Sequence, residues 1–178
     1  MKILISGVAG FVGSHLADYL IEKGHRVIGI DNLSTGHEKF VKWGLLYKGD
    51  CGDKEILREI FSTYKPICVI HLAASAYVGE SVTDPSKYYN NNLIESINLL
   101  DVMKQFGCKK IVFSSSCATY GIPKYLPIKE SDEQNPISPY GKSKLYVENV
   151  IKDYSKAYSF NYVFLRYFNA AGADDGLL

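Results

Sequence analysis

Apolar residues along this chain gather into short runs that alternate with stretches of helical spacing. Lys2-Ile-Leu-Ile-Ser6 is a compact apolar run before glycines, the pattern of a strand buried on both faces. From Ser14 to Lys23, Leu16, Ala17, Leu20 and Ile21 fall at helical spacing, and Gly24 is the stop. Arg26–Ile30 predicts a second strand with Asp31 at its end. Residues 32–44 are polar and predict a loop with one helical turn. Leu45–Lys48 predicts a short third strand, closed by Gly49-Asp50, and Asp53 caps a helix to about Tyr64. Ile67–His71 is the fourth strand, with His71 read as a packed strand-end histidine. Asp84-Pro85 opens a helix to about Phe106, stopped by Gly107. Its interior holds Asn90, Asn91 and Asn92, poor helix formers that ask for a reason. Lys109–Ser114 is the fifth strand, residues 117–137 form a loop rich in glycine and proline, and Tyr162–Leu165 is the sixth strand. Between loop and last strand, a helix runs from Ser138-Pro139 to about Tyr158. This alternation predicts an α/β fold, a doubly wound parallel sheet ordered 3-2-1-4-5-6 with helices on both faces. Ligands then sit at the carboxyl ends of the strands, where Asp31, Ala73, Ser116 and Asn169 fall.

Composition narrows the partners. The 178 residues fit one domain, and 47% hydrophobic with 22% charged residues is ordinary for a globular protein. A formal net charge of +1 without a run of one sign argues against a nucleic-acid or membrane surface. No apolar segment approaches a bilayer span, and the N-terminus runs straight into a glycine turn rather than reading as a signal peptide. Cys51, Cys68, Cys108 and Cys117 form no Cys-x-x-Cys pair, which argues against zinc and a disulfide framework. No metal is expected, and a reducing cytoplasm is the expected compartment.

Two motifs carry chemistry. Gly7-Val-Ala-Gly10-Phe11-Val12-Gly13 joins a strand to a helix, and Asp31 ends the next strand. Glycines there let the backbone approach a pyrophosphate, and the helix N-terminus offers it free N–H groups. Asp31 can accept hydrogen bonds from both ribose hydroxyls and repels a 2′-phosphate, so NAD is expected over NADP. The second motif is Ser138-Pro-Tyr-Gly-Lys-Ser-Lys144. Ser138 is an N-cap and Pro139 suits the first helical position, so Tyr140 and Lys144 share one helix face, about 6 Å apart along the axis. A phenol beside an ammonium is a device for lowering the phenol pKa towards a working base. Ser116, at a strand end beside that crevice, adds a hydroxyl.

Together these motifs resemble the extended short-chain dehydrogenase/reductase family. The stretches GVAGFVGSHL, DNLSTG, VIHLAA, VGESV, YYNNN, SPYGKSK and LRYFNAAGA are similar to its UDP-glucose 4-epimerase branch. The resemblance implies that Tyr140 is the acid or base at the sugar 4-hydroxyl, that Lys144 binds the nicotinamide ribose and lowers the tyrosine pKa, and that Ser116 shares the proton path. It implies a cofactor site of Gly7, Gly10, Phe11, Val12, Gly13, Asp31, Asn32, Asp50, Cys51, Leu72, Ala73, Ala74, Asn92, Ser114, Tyr140, Lys144 and Tyr167. Asp31 and Asn32 would bind the adenosine ribose, Asp50 and Cys51 the adenine side, and Asn92 would line the nicotinamide pocket. Ser116, Tyr140 and Asn169 would contact a UDP-sugar substrate. The implied reaction is NAD-dependent epimerisation at C4 of UDP-glucose or UDP-galactose through a 4-keto sugar. Alternatives are another nucleotide-sugar epimerase and a non-catalytic NAD-binding module.

Departures from the family pattern are Ala76, often lysine there, and Ala118, often threonine. Related dehydratases carry an Asp-Glu pair where Cys117-Ala118 stands, which disfavours elimination chemistry. By this reading residues 1–178 are an NAD-binding Rossmann domain, the chain stops at Asp174–Leu178, and the family's C-terminal substrate domain is absent. By analogy, the long helices at 85–106 and 139–158 would form a homodimer.

Overall fold

Six parallel strands lie side by side in the order β3-β2-β1-β4-β5-β6. They are β1 (Lys2–Ser6), β2 (Arg26–Asp31), β3 (Leu46–Lys48), β4 (Cys68–His71), β5 (Lys110–Ser116) and β6 (Asn161–Tyr167). The computed structural model describes residues 1–172, so Asp174–Leu178, where the sequence reading ended its domain, lies outside the described residues. The helices are α1 (Phe11–Glu22), α2 (Lys54–Tyr64), α3 (Val78–Thr83), α4 (Pro85–Tyr88), α5 (Glu95–Gln105) and α6 (Pro139–Tyr158).

The period-two geometry of the strands divides the core in two. Ile3 and Ile5 of β1 pack with Val27, Ile70 and Ala17 on the α1 side. Leu4 packs with Ile28, Ile30, Val69, Leu57, Leu100 and Val147 on the side of α2, α5 and α6. Each fully buried Leu or Ile contributes roughly 1.5–3 kcal/mol relative to exposure. The expected caps form. The Asp53 carboxylate accepts from the Glu55 and Ile56 amides at 2.9 and 3.2 Å, and the Ser138 hydroxyl accepts from the Gly141 amide at 3.1 Å.

Four expectations are corrected. Helix α1 begins at Phe11 rather than Ser14, with Gly10 as an N-cap lacking a side-chain bond. The single helix expected over 85–106 is interrupted by a π-helical segment, Tyr89–Ile94, which contains all three asparagines. Helix α3 was not expected. It is only six residues long, too short for a period to show, and is tied down by the Tyr88 hydroxyl, which donates to the Tyr77 carbonyl at 2.6 Å. Strands β5 and β6 extend to Ser116 and Tyr167. Serines have weak strand preference, but pairing of Ser114 with Leu165 and Ser116 with Tyr167 overrides it.

Candidate active site

The parallel arrangement brings the carboxyl ends of β1, β2, β4, β5 and β6 to one edge of the sheet. At β1, Gly7 turns the chain with φ +74, and a Cβ there would lie 2.6 Å from the Ala73 nitrogen. Only glycine lets this turn press against the segment after β4, where the Leu72 and Ala73 amides donate to the Ser6 carbonyl at 3.0 and 3.1 Å. Gly13 is buried against the same turn, while Phe11 at the head of α1 is exposed and Val12 half-buried.

Asp31 is buried, and both carboxylate oxygens are already oriented. Oδ2 accepts from the Ala9 amide at 2.9 Å and Oδ1 from the Leu33 amide at 2.8 Å. An ionised carboxylate has about four acceptor sites, so capacity remains for two hydroxyls. Leu33 takes the left-handed conformation at φ 60, uncommon for a residue with a side chain and frequent at functional sites. The loop after Asp31 returns to the glycine turn, and the His37 amide donates to the Ala9 carbonyl at 2.9 Å. Ala9 and Leu33 thus belong to the site wall, and sequence reasoning missed both because their backbones, not their side chains, do the work. Asn32 and Asp50 are brought together, the Asn32 amide donating to Asp50 Oδ1 at 2.8 Å. Cys51 is buried, its thiol donating to Glu95 Oε2 at 3.3 Å, and burial together with Glu95 holds that thiol well above its ordinary pKa.

Helix α6 delivers Tyr140 and Lys144 to the end of β5. Lys144 is buried, and its ammonium donates to the Ser114 carbonyl at 2.8 Å while lying 5.0 Å from the Phe113 ring centre and 5.9 Å from that of Tyr140. Burial lowers its pKa to about 8. Tyr140 departs from the expectation that Lys144 would pull its pKa down. Burial pushes the phenol up, and the opposing influence is the Ser116 hydroxyl. The lysine head is directed at the strand carbonyl instead. Tyr88, fully buried, meets the Tyr140 ring edge-on at 6.3 Å between centres.

The π segment explains the asparagines. It turns Asn92 inward, where all four hydrogen-bonding positions of the amide are occupied. Nδ2 donates to the Ser75 carbonyl and the Ser143 hydroxyl, both at 3.0 Å, and Oδ1 accepts from the Ser75 and Asn91 nitrogens at 2.8 and 2.9 Å. Asn92 therefore stitches the segment after β4 to helix α6. Its side chain keeps no spare donor for the pocket it was expected to line.

Beneath it lies His71. Its Nδ1 is 2.6 Å from the Ser6 hydroxyl and its Nε2 is 2.8 Å from that of Ser96. Ser96 gives its single proton to the Asn92 carbonyl, so it must accept from Nε2–H, and Ser6 must donate to Nδ1. The ring is a neutral tether between β1 and α5, as the packed reading expected. Burial, then the Lys144 charge, lowers its pKa to about 3.

At the sheet edge, Tyr167 is half-buried opposite Ser116 in the register, Ala74 is half-buried after β4, and Asn169 is exposed two residues beyond β6. Among the described residues there is no cluster of three metal-ligating side chains, and no helix is long and apolar enough to cross a membrane.

A glycine turn, an oriented acid at the second strand and a Ser–Tyr–Lys group at the fifth define a dinucleotide-binding fold of the short-chain dehydrogenase type. The chain belongs to the NAD dependent epimerase/dehydratase family, whose model matches residues 3–177. It is 49% identical to the UDP-glucose 4-epimerase of Rhizobium meliloti over 97% of this chain and 53% of that protein. The crystal structure of UDP-glucose 4-epimerase from Brucella ovis in complex with NAD superposes with a TM-score of 0.95 at 52% identity, covering 97% of this chain and 53% of that one. The UDP-Glc/GlcNAc 4-epimerase from Campylobacter jejuni superposes at 0.92 with 38% identity, over 98% and 55% of the two chains. The chain thus spans about half the length of the relatives it matches.

Proposed function

We propose that this chain is the NAD-binding part of a UDP-sugar 4-epimerase and carries its proton-transfer residues. The observation that carries the reading is the buried Lys144 ammonium on the Ser114 carbonyl, four residues along α6 from Tyr140, at the sheet edge that also holds the glycine turn. NAD fits that edge. The turn at Gly7 has no room for a side chain, the N-terminus of α1 has no side-chain cap, and Asp31 is pre-oriented by two amides. When bound, NAD would supply a reversible hydride acceptor.

The protein's own residues would do the rest. Tyr140 takes the proton from the sugar 4-hydroxyl and returns it, with Ser116 steadying the phenolate. Lys144 holds the nicotinamide ribose and, when charged, favours that phenolate. Gly7, Gly10, Phe11, Val12, Gly13, Ala73 and Ala74 line the pyrophosphate path, with Leu72, Ser114 and Tyr167 beside it. Asp31 and Asn32 take the ribose, Asp50 and Cys51 flank the adenine, and Asn92 holds the wall by the nicotinamide. Asn169 meets the sugar-nucleotide. UDP-glucose and UDP-galactose are the proposed substrates, and the name of the Campylobacter jejuni relative favours an N-acetylated sugar as the second reading.

We place residues 1–178 in one NAD-binding domain and the sugar-gripping domain in the part of the relatives that this chain does not span. The cytoplasm is the proposed compartment, in keeping with four free cysteines. Tyr146 stacks on Tyr89 and, like Ile94, is exposed, which supports a homodimer through these helices. The test is to purify the chain, supply NAD and UDP-galactose, and assay UDP-glucose. Tyr140→Phe is expected to stop turnover and leave NAD affinity within about threefold. Equal turnover in the variant refutes the catalytic assignment, and failure to bind NAD refutes the reading as a whole.

A further inference from the structure

The helix stripe that carries Tyr140 and Lys144 continues at the same spacing to Glu148. All three reach the end of β5. Lys144 donates to the Ser114 carbonyl and Glu148 Oε1 accepts from the Ser115 hydroxyl, while the Ser116 hydroxyl acts on the Tyr140 phenol to lower its pKa. Glu148 is completely buried, where an unpaired carboxylate would be strongly disfavoured. Its partner is Arg166 of β6, whose Nε donates to Oε1 at 2.9 Å and Nη2 to Oε2 at 2.8 Å, a two-pronged pair. Gln134 adds a bond to Oε2 at 3.2 Å. Burial raises the Glu148 pKa, but Arg166, Ser115 and Gln134 outweigh it and hold the carboxyl below its usual range. Arg166 then reaches outward. Its Nη1 donates to the Tyr120 hydroxyl at 2.7 Å and to the Glu130 carbonyl at 3.1 Å, and its guanidinium lies 5.2 Å from the Tyr120 ring centre. One buried ion pair therefore joins α6, β5, β6 and the loop over 121–137.

We infer that Glu148 and Arg166 are positioning residues that hold Ser115, and through it the neighbouring Ser116, at the correct distance from Tyr140 while clamping the 121–137 loop beside the site. Side chains alternate along β5, so fixing Ser115 on one face fixes the direction in which Ser116 leaves the other. The inference rests on the proposed role of Ser116 and Tyr140 as a proton-transfer pair, but its test needs no substrate, so the two readings fail separately.

The readout is the ionisation of Tyr140 in the intact chain, followed by NMR of ring-labelled tyrosine and assigned with Tyr140→Phe. The groups facing this phenol are Ser116, Cys117, Lys144 and Tyr88, and none is altered by Glu148→Gln. Glu148→Gln and Ser116→Ala are each expected to raise the Tyr140 midpoint by about half a pH unit or more, and the double variant is expected to shift no further. Leu100→Ala, a core change away from the site, is expected to lower stability without moving the midpoint. An unmoved midpoint in Glu148→Gln, or additive shifts in the double variant, overturns the inference. If Glu148→Gln does not fold, Gln134→Ala decides. It removes one outer bond of the clamp and should speed amide exchange over 121–137 at least about threefold, whereas unchanged exchange overturns the inference.

Discussion

His71 makes the fold acid-sensitive in a way that can be separated from every other group. Its ring is fully buried between Ser6 and Ser96 and is held neutral, with a pKa near 3 against an ordinary 6.5. Between those values the unfolded chain binds the proton and the folded chain does not. Stability from this residue is therefore complete above pH 6.5 and drains away as the pH falls towards 3. Integrating the proton difference from about pH 7 to about pH 4.5 gives a loss of roughly 2.5 kcal/mol. His71→Gln cannot titrate, so whatever the substitution itself costs, that loss should be missing from its pH dependence. Urea unfolding of both proteins near the two pH values measures it, with carboxylates such as Glu148 and Asp101 contributing equally to each. Equal acid losses in the two proteins would refute the neutral, buried tether. So would NMR showing the ring protonated, or the proton on Nδ1, near pH 5.

Two further outcomes are expected. Gly7 and Gly24 both have positive φ, +74 and +78, but only Gly7 is crowded, by Ala73, while nothing lies within 4 Å of a Cβ at Gly24. Gly24→Ala should lose about 1–2 kcal/mol for its backbone conformation alone, and Gly7→Ala should lose more and weaken NAD binding at least about tenfold, as thermal melts and calorimetry will show. Lys144 has a folded pKa near 8 against 10.5, so its contribution to stability rises with pH between those values, by roughly 2 kcal/mol from about pH 8 to pH 10. Denaturant titrations of Lys144→Met should lack that rise, and an identical slope would show that the ammonium is not buried as described.

Much of this architecture is written in local patterns. Short apolar runs alternating with helical spacing were enough to predict six parallel strands and their order, because right-handed crossovers leave few ways to join them. Ser138, Pro139 and the four-residue spacing of Tyr140 and Lys144 are likewise local, as are Asp53 as a cap and the glycines before α1. What the chain does not show locally is where buried polar groups find their partners. The π segment turns Asn92 to partners at Ser75 and Ser143, residues 17 and 51 positions away. Strand β5 runs on through three serines because β6 pairs with them. Tyr140 keeps a raised pKa because its phenol is buried, while Lys144, on the expected helix face, donates to the Ser114 carbonyl. Glu148 and Arg166 look like an ordinary surface acid and base in sequence, and become one buried pair only when α6 is laid across β5 and β6. Local pattern thus specified the six strands, their order and most of the helices between them. Tertiary structure alone decided the electrostatics and the hydrogen-bond partners, because both depend on burial and on contacts between residues distant along the chain.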